Sequence, residues 1–246
     1  VSHTLIPYQR PITLRADVWE HFPELARLPD GVGGEPQSRR MEVSPVDLGT
    51  VTDLQRLHAA LVVFPAHDDA GPTTTAPVDT AAEVVERLAA CCYDLERLGR
   101  AGFECLVGLA SVGGAVELRY RSLDEAVERV ESTLPLVPSG ATGTPGVPVV
   151  ERVGPLGGDE PEPGLLRRAG DAAGWGFADG SAVVFHPAAL TMSRLDLAGL
   201  RLWAWLDTPR TLEEVLEMAE ATSPAAVQQL TQWLERLERG KLVVRG

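Results

Sequence analysis

Residues 178–221 read ADGSAVVFHPAALTMSRLDLAGLRLWAWLDTPRTLEEVLEMAEA, and their grammar decides the fold of the C-terminal third. Asp179-Gly180 is a tight-turn pair between the run beginning at Trp175 and Ser181–His186. Pro187 closes that second run, and a third extended run follows at Leu190–Leu195. Three antiparallel strands are expected. Asp196 is placed to cap a helix through Leu206, and Thr211 with Glu214 makes a capping-box pair for a second helix. Ser223-Pro224 opens a third helix in the favoured cap-then-proline order, and Gly240 ends it. Along that helix Val227, Leu230, Leu234 and Leu237 recur at steps of three, four and three, which gives one apolar stripe. The unit is therefore three strands, three helices and a short wing at Leu242–Val244.

Upstream of this unit, residues 132–164 hold seven prolines and seven glycines, a density that reads as a linker. The spaced Gly140, Gly143 and Gly146 lack a strand before them and a helix after, so they are spacer rather than a phosphate turn. Three regions follow: 1–131, the linker 132–164, and 165–246. The first opens with extended sequence punctuated by Pro7, Pro11, Pro23 and Pro29 and a glycine-rich loop at 31–34. Leu61–Phe64 is a strand candidate. From Asp79, apolar residues Val84, Val85, Leu88, Cys92, Leu95 and Leu98 recur at helical spacing, with Gly99 placed to stop the helix. Ala115–Tyr120 alternates as a half-buried strand does, and Ser122 with Glu125 caps a final helix. The fold class is α+β.

Composition narrows the chemistry. The chain of 246 residues has one lysine, Lys241, and no GxxxxGK[ST] loop; Gly240-Lys241 is followed by Leu242. A lysine nucleophile in the interior is excluded with it. Three cysteines, two of them adjacent, build neither a disulfide framework nor a CxxC site, and His3, His21, His58, His67 and His186 never recur at i, i+4. No metal, cofactor or catalytic residue is expected; Asp17, His21 and Glu24 read as loop surface. The net charge is −13, and residues 165–246 carry 9 basic against 10 acidic side chains. Neither part shows the basic footprint that phosphate backbones require, so nucleic acid is disfavoured as a partner. Apolar runs are too short to span a bilayer, no segment reads as a signal peptide, and a soluble cytoplasmic protein without a membrane partner is expected.

The run from Ala178, with its hairpin, its Leu-Asp helix start, its aromatic first helix and its D-x-x-R-T-L-E-E entry to the second, resembles the PqqD family over residues 165–246. That family is similar to the recognition elements of ribosomally made, modified peptides. The resemblance implies a winged-helix, peptide-binding module. A partner's leader peptide would add as a strand beside the third strand and lie against the last helix. Carried over position by position, the edge is Leu190, Thr191, Met192, Ser193, Arg194 and Leu195, and the facing helix surface is Gln228, Gln229, Gln232, Trp233 and Arg236. The implied partners are a precursor leader peptide and a peptide-modifying enzyme.

Residues 5–131, with PYQRPITLRADVWEHFPELA, LVVFP and AVELRYRSLDEAVERV, are similar to the part of HPr kinase/phosphorylase-like domains that follows the nucleotide loop. This implies a partial α/β kinase-like piece whose ATP-binding and catalytic loops would lie outside the chain. Three functions stand side by side: the peptide-recognition module, part of an ATP-dependent serine kinase, and a winged-helix DNA binder. The third is disfavoured because the last helix pairs Arg236 and Arg239 with Glu235 and Glu238. Exposed strand edges in 1–131 make self-association an expectation. Arg194 and Arg236 are either solvated charges or ligands for acidic peptide residues. Trp203 is expected in the core, and Trp233 is open between core filler and groove wall.

Overall fold

The computed structural model describes residues 12–15, 40–43, 61–112, 114–133, 147–156 and 161–246. The glycine-rich loop at 31–34, the Asp17, His21 and Glu24 group and the glycines at 140, 143 and 146 lie outside them. The chain divides into two compact units, Val1–His58 and Ala59–Gly246. In the first, β1 (Ile12–Arg15) pairs antiparallel with β2 (Arg40–Val43), Ile12 opposite Val43.

The second unit begins with a three-stranded sheet. β3 (Leu61–His67) and β4 (Thr74–Pro77) flank β5 (Gly114–Tyr120), parallel and antiparallel respectively. Two helices make the crossover between β4 and β5. α1 (Ala81–Cys91) starts at the N-cap Thr80, and α2 (Leu95–Val112) carries a kink at Gly99. The helix expected from Asp79 to Leu98 thus ends at Cys91, with Cys92 as its C-cap. Gly99, at φ 53°, marks the kink inside the next helix, a conformation that glycine adopts without a Cβ penalty. α3 (Leu123–Thr133) begins where Ser122 Oγ accepts the Glu125 N–H.

The rest of this unit is built around a four-stranded antiparallel sheet in the order β10-β9-β8-β6, formed by β6 (Val149–Val153), β8 (Ala173–Phe177), β9 (Ser181–His186) and β10 (Thr191–Asp196). β7 (Leu166–Arg168) lies outside it and pairs with β11 (Val243–Arg245), so the expected wing joins a separate two-stranded ribbon. Three helices follow β10: α4 (Leu197–Trp205), α5 (Leu212–Met218) and α6 (Pro224–Arg239). Their caps are the expected ones. Asp196, Thr211 and Ser223 each accept a first-turn N–H, and Thr211 with Glu214 closes a reciprocal capping box. After Gly240, Lys241 takes the left-handed seat (φ 55°), and Leu242 N–H reaches back to the Leu237 carbonyl.

Two differences from the expected organisation have one physical cause. Val149–Val153, inside the segment read as a linker, is a strand that pairs with β8. No compact-unit boundary falls at 131 or 165. The cause is that the four-stranded sheet is buried on both faces. Ala182 and Val184 point to a core with Leu200, Trp203, Leu206, Val215, Leu234 and Leu237 from α4–α6. Trp175, Phe177, Val183 and Phe185 point the other way, into a core with Val85, Phe103 and Val107 from α1 and α2. Phe103 stacks on Phe185 at 4.1 Å between centroids and lies 5.3 Å from Trp175. The β8–β9 turn ties the layers together: Asp179 Oδ2 accepts the Ala81 N–H at 2.8 Å, and Ser181 Oγ accepts that of Ala82 at 3.2 Å. The N-terminus of α1 is therefore capped from the sheet it covers. The fold is mixed α+β. No helix among the described residues is long and apolar enough to cross a membrane.

Candidate functional site

Among the described residues β10 is an edge strand, bonded to β9 and to no other strand. Its register sets Thr191 opposite His186 and Leu195 opposite Ala182. The phase of the ladder follows from one bond beyond it, Leu197 N–H to the Gly180 carbonyl at 3.0 Å. Bonded pairs alternate in an antiparallel ladder. Leu195, Ser193 and Thr191 therefore turn their backbone groups towards β9, and Met192 and Arg194 turn theirs outward. Among the described residues nothing takes up those outward groups.

Side chains leave β10 alternately. Met192 packs into the core beneath α1, and Arg194 on the same face meets Glu86 at 3.1 Å and Glu83 at 3.7 Å, both on α1. The expectation of Arg194 as a free charge or ligand thus meets two carboxylates of its own chain. Arg87 extends the ion-pair network, donating to Glu83 at 2.6 Å and Glu117 at 3.0 Å. Hydrogen bonds from Arg119 first, then Arg87, hold the Glu117 carboxyl below its ordinary value. On the other face Leu195 packs against the α4–α6 core, and Thr191 Oγ donates to the Gly240 carbonyl at the end of α6. Leu190, half-exposed at the entry to the strand, sits at φ 52°.

The expected helix residues divide. Gln229, Gln232, Trp233 and Arg236 line a shallow groove of about 460 Å³ between α6 and the α5–α6 corner, with Ala219 and Ala221 on its far side. Gln228 is exposed outside that lining, and no β10 residue belongs to it. A hydrogen bond from Thr191 to Gly240 joins the strand to the end of α6. Trp233 also packs against the core, so it is filler and groove wall at once. Trp203 is fully buried, with its indole N–H on the Leu242 carbonyl at 2.9 Å. Arg168 lies 5.1 Å over the Trp203 ring, and burial pushes its guanidinium down from the ordinary arginine value.

Glu83 and Glu86 are the flanking residues that sequence reasoning missed. Their signal was indirect: AGWGF and SAVVF are apolar on both parities, which predicts a second cover over the sheet without naming it. Among the described residues no cluster of three metal-ligating side chains occurs. No protein-family model, curated protein or solved structure matches the chain.

Proposed function

We propose that this chain is a peptide-recognition protein whose region 165–246 acts as a PqqD-like winged-helix module, capturing an extended precursor peptide by strand addition at β10 for a modifying enzyme. The observation that carries the reading is the open edge. Met192 and Arg194 present outward N–H and C=O groups with no described partner, on a strand held rigid by α1 on one side and the α4–α6 core on the other. Long edges are usually blunted by bulges, prolines or covering loops. This six-residue edge, TMSRLD, has neither bulge nor proline. Backbone pairing supplies affinity in such capture, and alternate side chains supply selectivity.

The ladder phase fixes the decisive variant. Arg194 N–H faces outward, so Arg194→Pro removes a peptide contact without removing a bond of the sheet. Arg194→Ala serves as the control for loss of the Glu83 and Glu86 pairs. Peptides selected from a random displayed library on the whole protein are titrated by fluorescence anisotropy. We expect Arg194→Ala to bind within a few-fold of wild type and Arg194→Pro at least about tenfold more weakly, the worth of one or two backbone hydrogen bonds. Equal affinity of the two folded variants would end the proposal.

A further inference from the structure

Helix α5 is seven residues long and stops abruptly. Glu220 takes a left-handed seat at φ 52°, its N–H reaches the Glu217 carbonyl, and the Ala221 N–H reaches that of Leu216 at 3.0 Å, the paired bonds of a Schellman ending. Where α5 stops, an apolar groove of about 480 Å³ is left against α4, lined by Ala198, Leu202, Trp205, Met218, Ala219 and Glu220. Met218 is 51% exposed there, and the Arg210 guanidinium lies 4.4 Å over the Trp205 ring, which steadies it as a wall. Across Ala219 this groove adjoins the one lined by Trp233 and Arg236 on α6, so the two form an elongated depression with a tryptophan in each half. It lies away from the strand edge. Arg201, at its rim, pairs with Glu151 on β6 at 3.1 Å, and β6 and β10 are opposite edges of the four-stranded sheet. No β10 residue lines either half.

The C-terminal end of α5 carries Glu217 and Glu220, both exposed, and its last turn holds no basic residue. Carboxylates are favoured at the opposite end of a helix, because the C-terminus is already its negative pole. α5 thus forgoes stability at this corner and sets a negative potential beside an apolar groove, a local conflict of the kind that marks functional sites. Arg201 does not offset it, being paired with Glu151, and Arg236 stands across the depression on α6. We infer that this corner docks a basic amphipathic helix of another protein, its apolar stripe seated along Trp205 and Trp233 and its lysines or arginines over Glu217, Glu220 and the end of α5. A second copy of this chain would bring the same carboxylates together in a molecule of net charge −13, and an anionic membrane would meet the same repulsion. A compact ligand would fill one half only. The inference does not rest on strand addition, and because the depression and β10 lie on different sides of the sheet, an enzyme docked at this corner leaves the β10 edge free.

Three synthetic helices of about four turns test this on the whole protein by fluorescence anisotropy. One has a leucine stripe flanked by lysines, one the same stripe flanked by glutamates, and one the lysine composition scrambled so that no stripe forms. The first should bind at least about tenfold more tightly than either of the others, since stripe and charge are both required. Glu217→Gln combined with Glu220→Asn removes the two charges, asparagine being tolerated in the left-handed seat, and should weaken the lysine helix about threefold or more. Arg236→Gln should not weaken it. Ala219→Arg sets bulk and positive charge at an exposed position between the two halves and should weaken it at least about tenfold. On binding, the indole N–H resonances of Trp205 and Trp233 should shift while the amides of Met192 and Arg194 stay in place. Equal binding of the glutamate or scrambled helix, no binding of the lysine helix, or shifts at β10 instead of the two indoles overturns the inference. So does a concentration-dependent dimer in light scattering that Ala219→Arg abolishes, which would give the depression to a second copy. Peptides whose affinity falls in Arg194→Pro should bind Ala219→Arg as they bind wild type, so helix docking and strand addition fail independently.

Discussion

Gly174 and Gly176 alternate with Trp175 and Phe177 along β8, and each side of the alternation serves a different helix layer. The bulky residues meet α1 and α2, and the glycines let α4 approach. A Cβ at Gly174 would stand 2.6 Å from Leu200 Cδ1 and 3.1 Å from both the Trp203 ring and Val184. Alanine in a strand recovers roughly 0.5–1 kcal/mol of backbone entropy relative to glycine. Overpacking against fully buried Leu200 and Trp203 costs about 1–3 kcal/mol and wins. Gly174→Ala should therefore lower the unfolding free energy by a net of about 1–2 kcal/mol, read as a lower urea midpoint. A midpoint equal to or above wild type would show that α4 can retreat. In sequence these glycines look like strand weakeners, because the helix that needs them lies more than twenty residues on. Trp203 is legible as core from its place in an apolar helix, whereas the double role of Trp233 depends on where α5 ends.

At the scale of elements, what a few neighbouring residues determine was readable. Strands β8–β10 and helices α4–α6 follow from turn dipeptides, caps and apolar stripes, each a local signal. What depends on distant pairing was not: β6 hides in proline-rich sequence because its stability comes from β8, and α1 is capped by a residue 98 positions away. That cap is testable. Asp179→Ala removes the acceptor for Ala81 N–H and for Ser181 N–H and Oγ, and should cost about 1–2 kcal/mol in chemical denaturation, the usual worth of a lost N-cap. No loss would mean that Thr80 suffices to cap α1. The capping box of α5 gives a pH prediction. The Thr211 N–H, and then its hydroxyl, hold the Glu214 carboxyl below the ordinary value of 4.5. A depressed folded pKa means that its stabilisation is complete above the unfolded value and is lost as pH falls through the folded one. Protection of the Thr211 amide should decline below about pH 4.5 in wild type and stay level in Glu214→Gln, which caps without titrating. Parallel declines in both would remove Glu214 as the cause.

For the molecule as a whole, the question is why a three-strand, three-helix unit should be joined to α1 and α2 at all. Its own core, around Trp203 and Leu200, covers one face of the sheet. The other face carries Trp175, Phe177, Val183 and Phe185, all nearly fully buried, and its cover comes from Val85, Phe103 and Val107. Stripped of that cover the sheet would present three large aromatics side by side, the kind of contiguous apolar patch that drives association. Residues 147–246 alone should therefore self-associate, whereas residues 59–246 should not do so through this face. Size-exclusion chromatography with light scattering across a hundredfold concentration range distinguishes the two. A monomeric 147–246 with native-like tryptophan fluorescence would mean that the α1–α2 layer is dispensable for solubility. The predicted association bears on function through geometry. With α1 in place, Glu83 and Glu86 hold Arg194 along one side of β10, and the core beneath Leu195 fixes the other. In the proposed strand addition, a peptide arriving at Met192 and Arg194 would meet an edge already held from both faces, and would pay little entropy to order it. On this proposal the layer that covers the aromatic face of the sheet would also preorganise its edge.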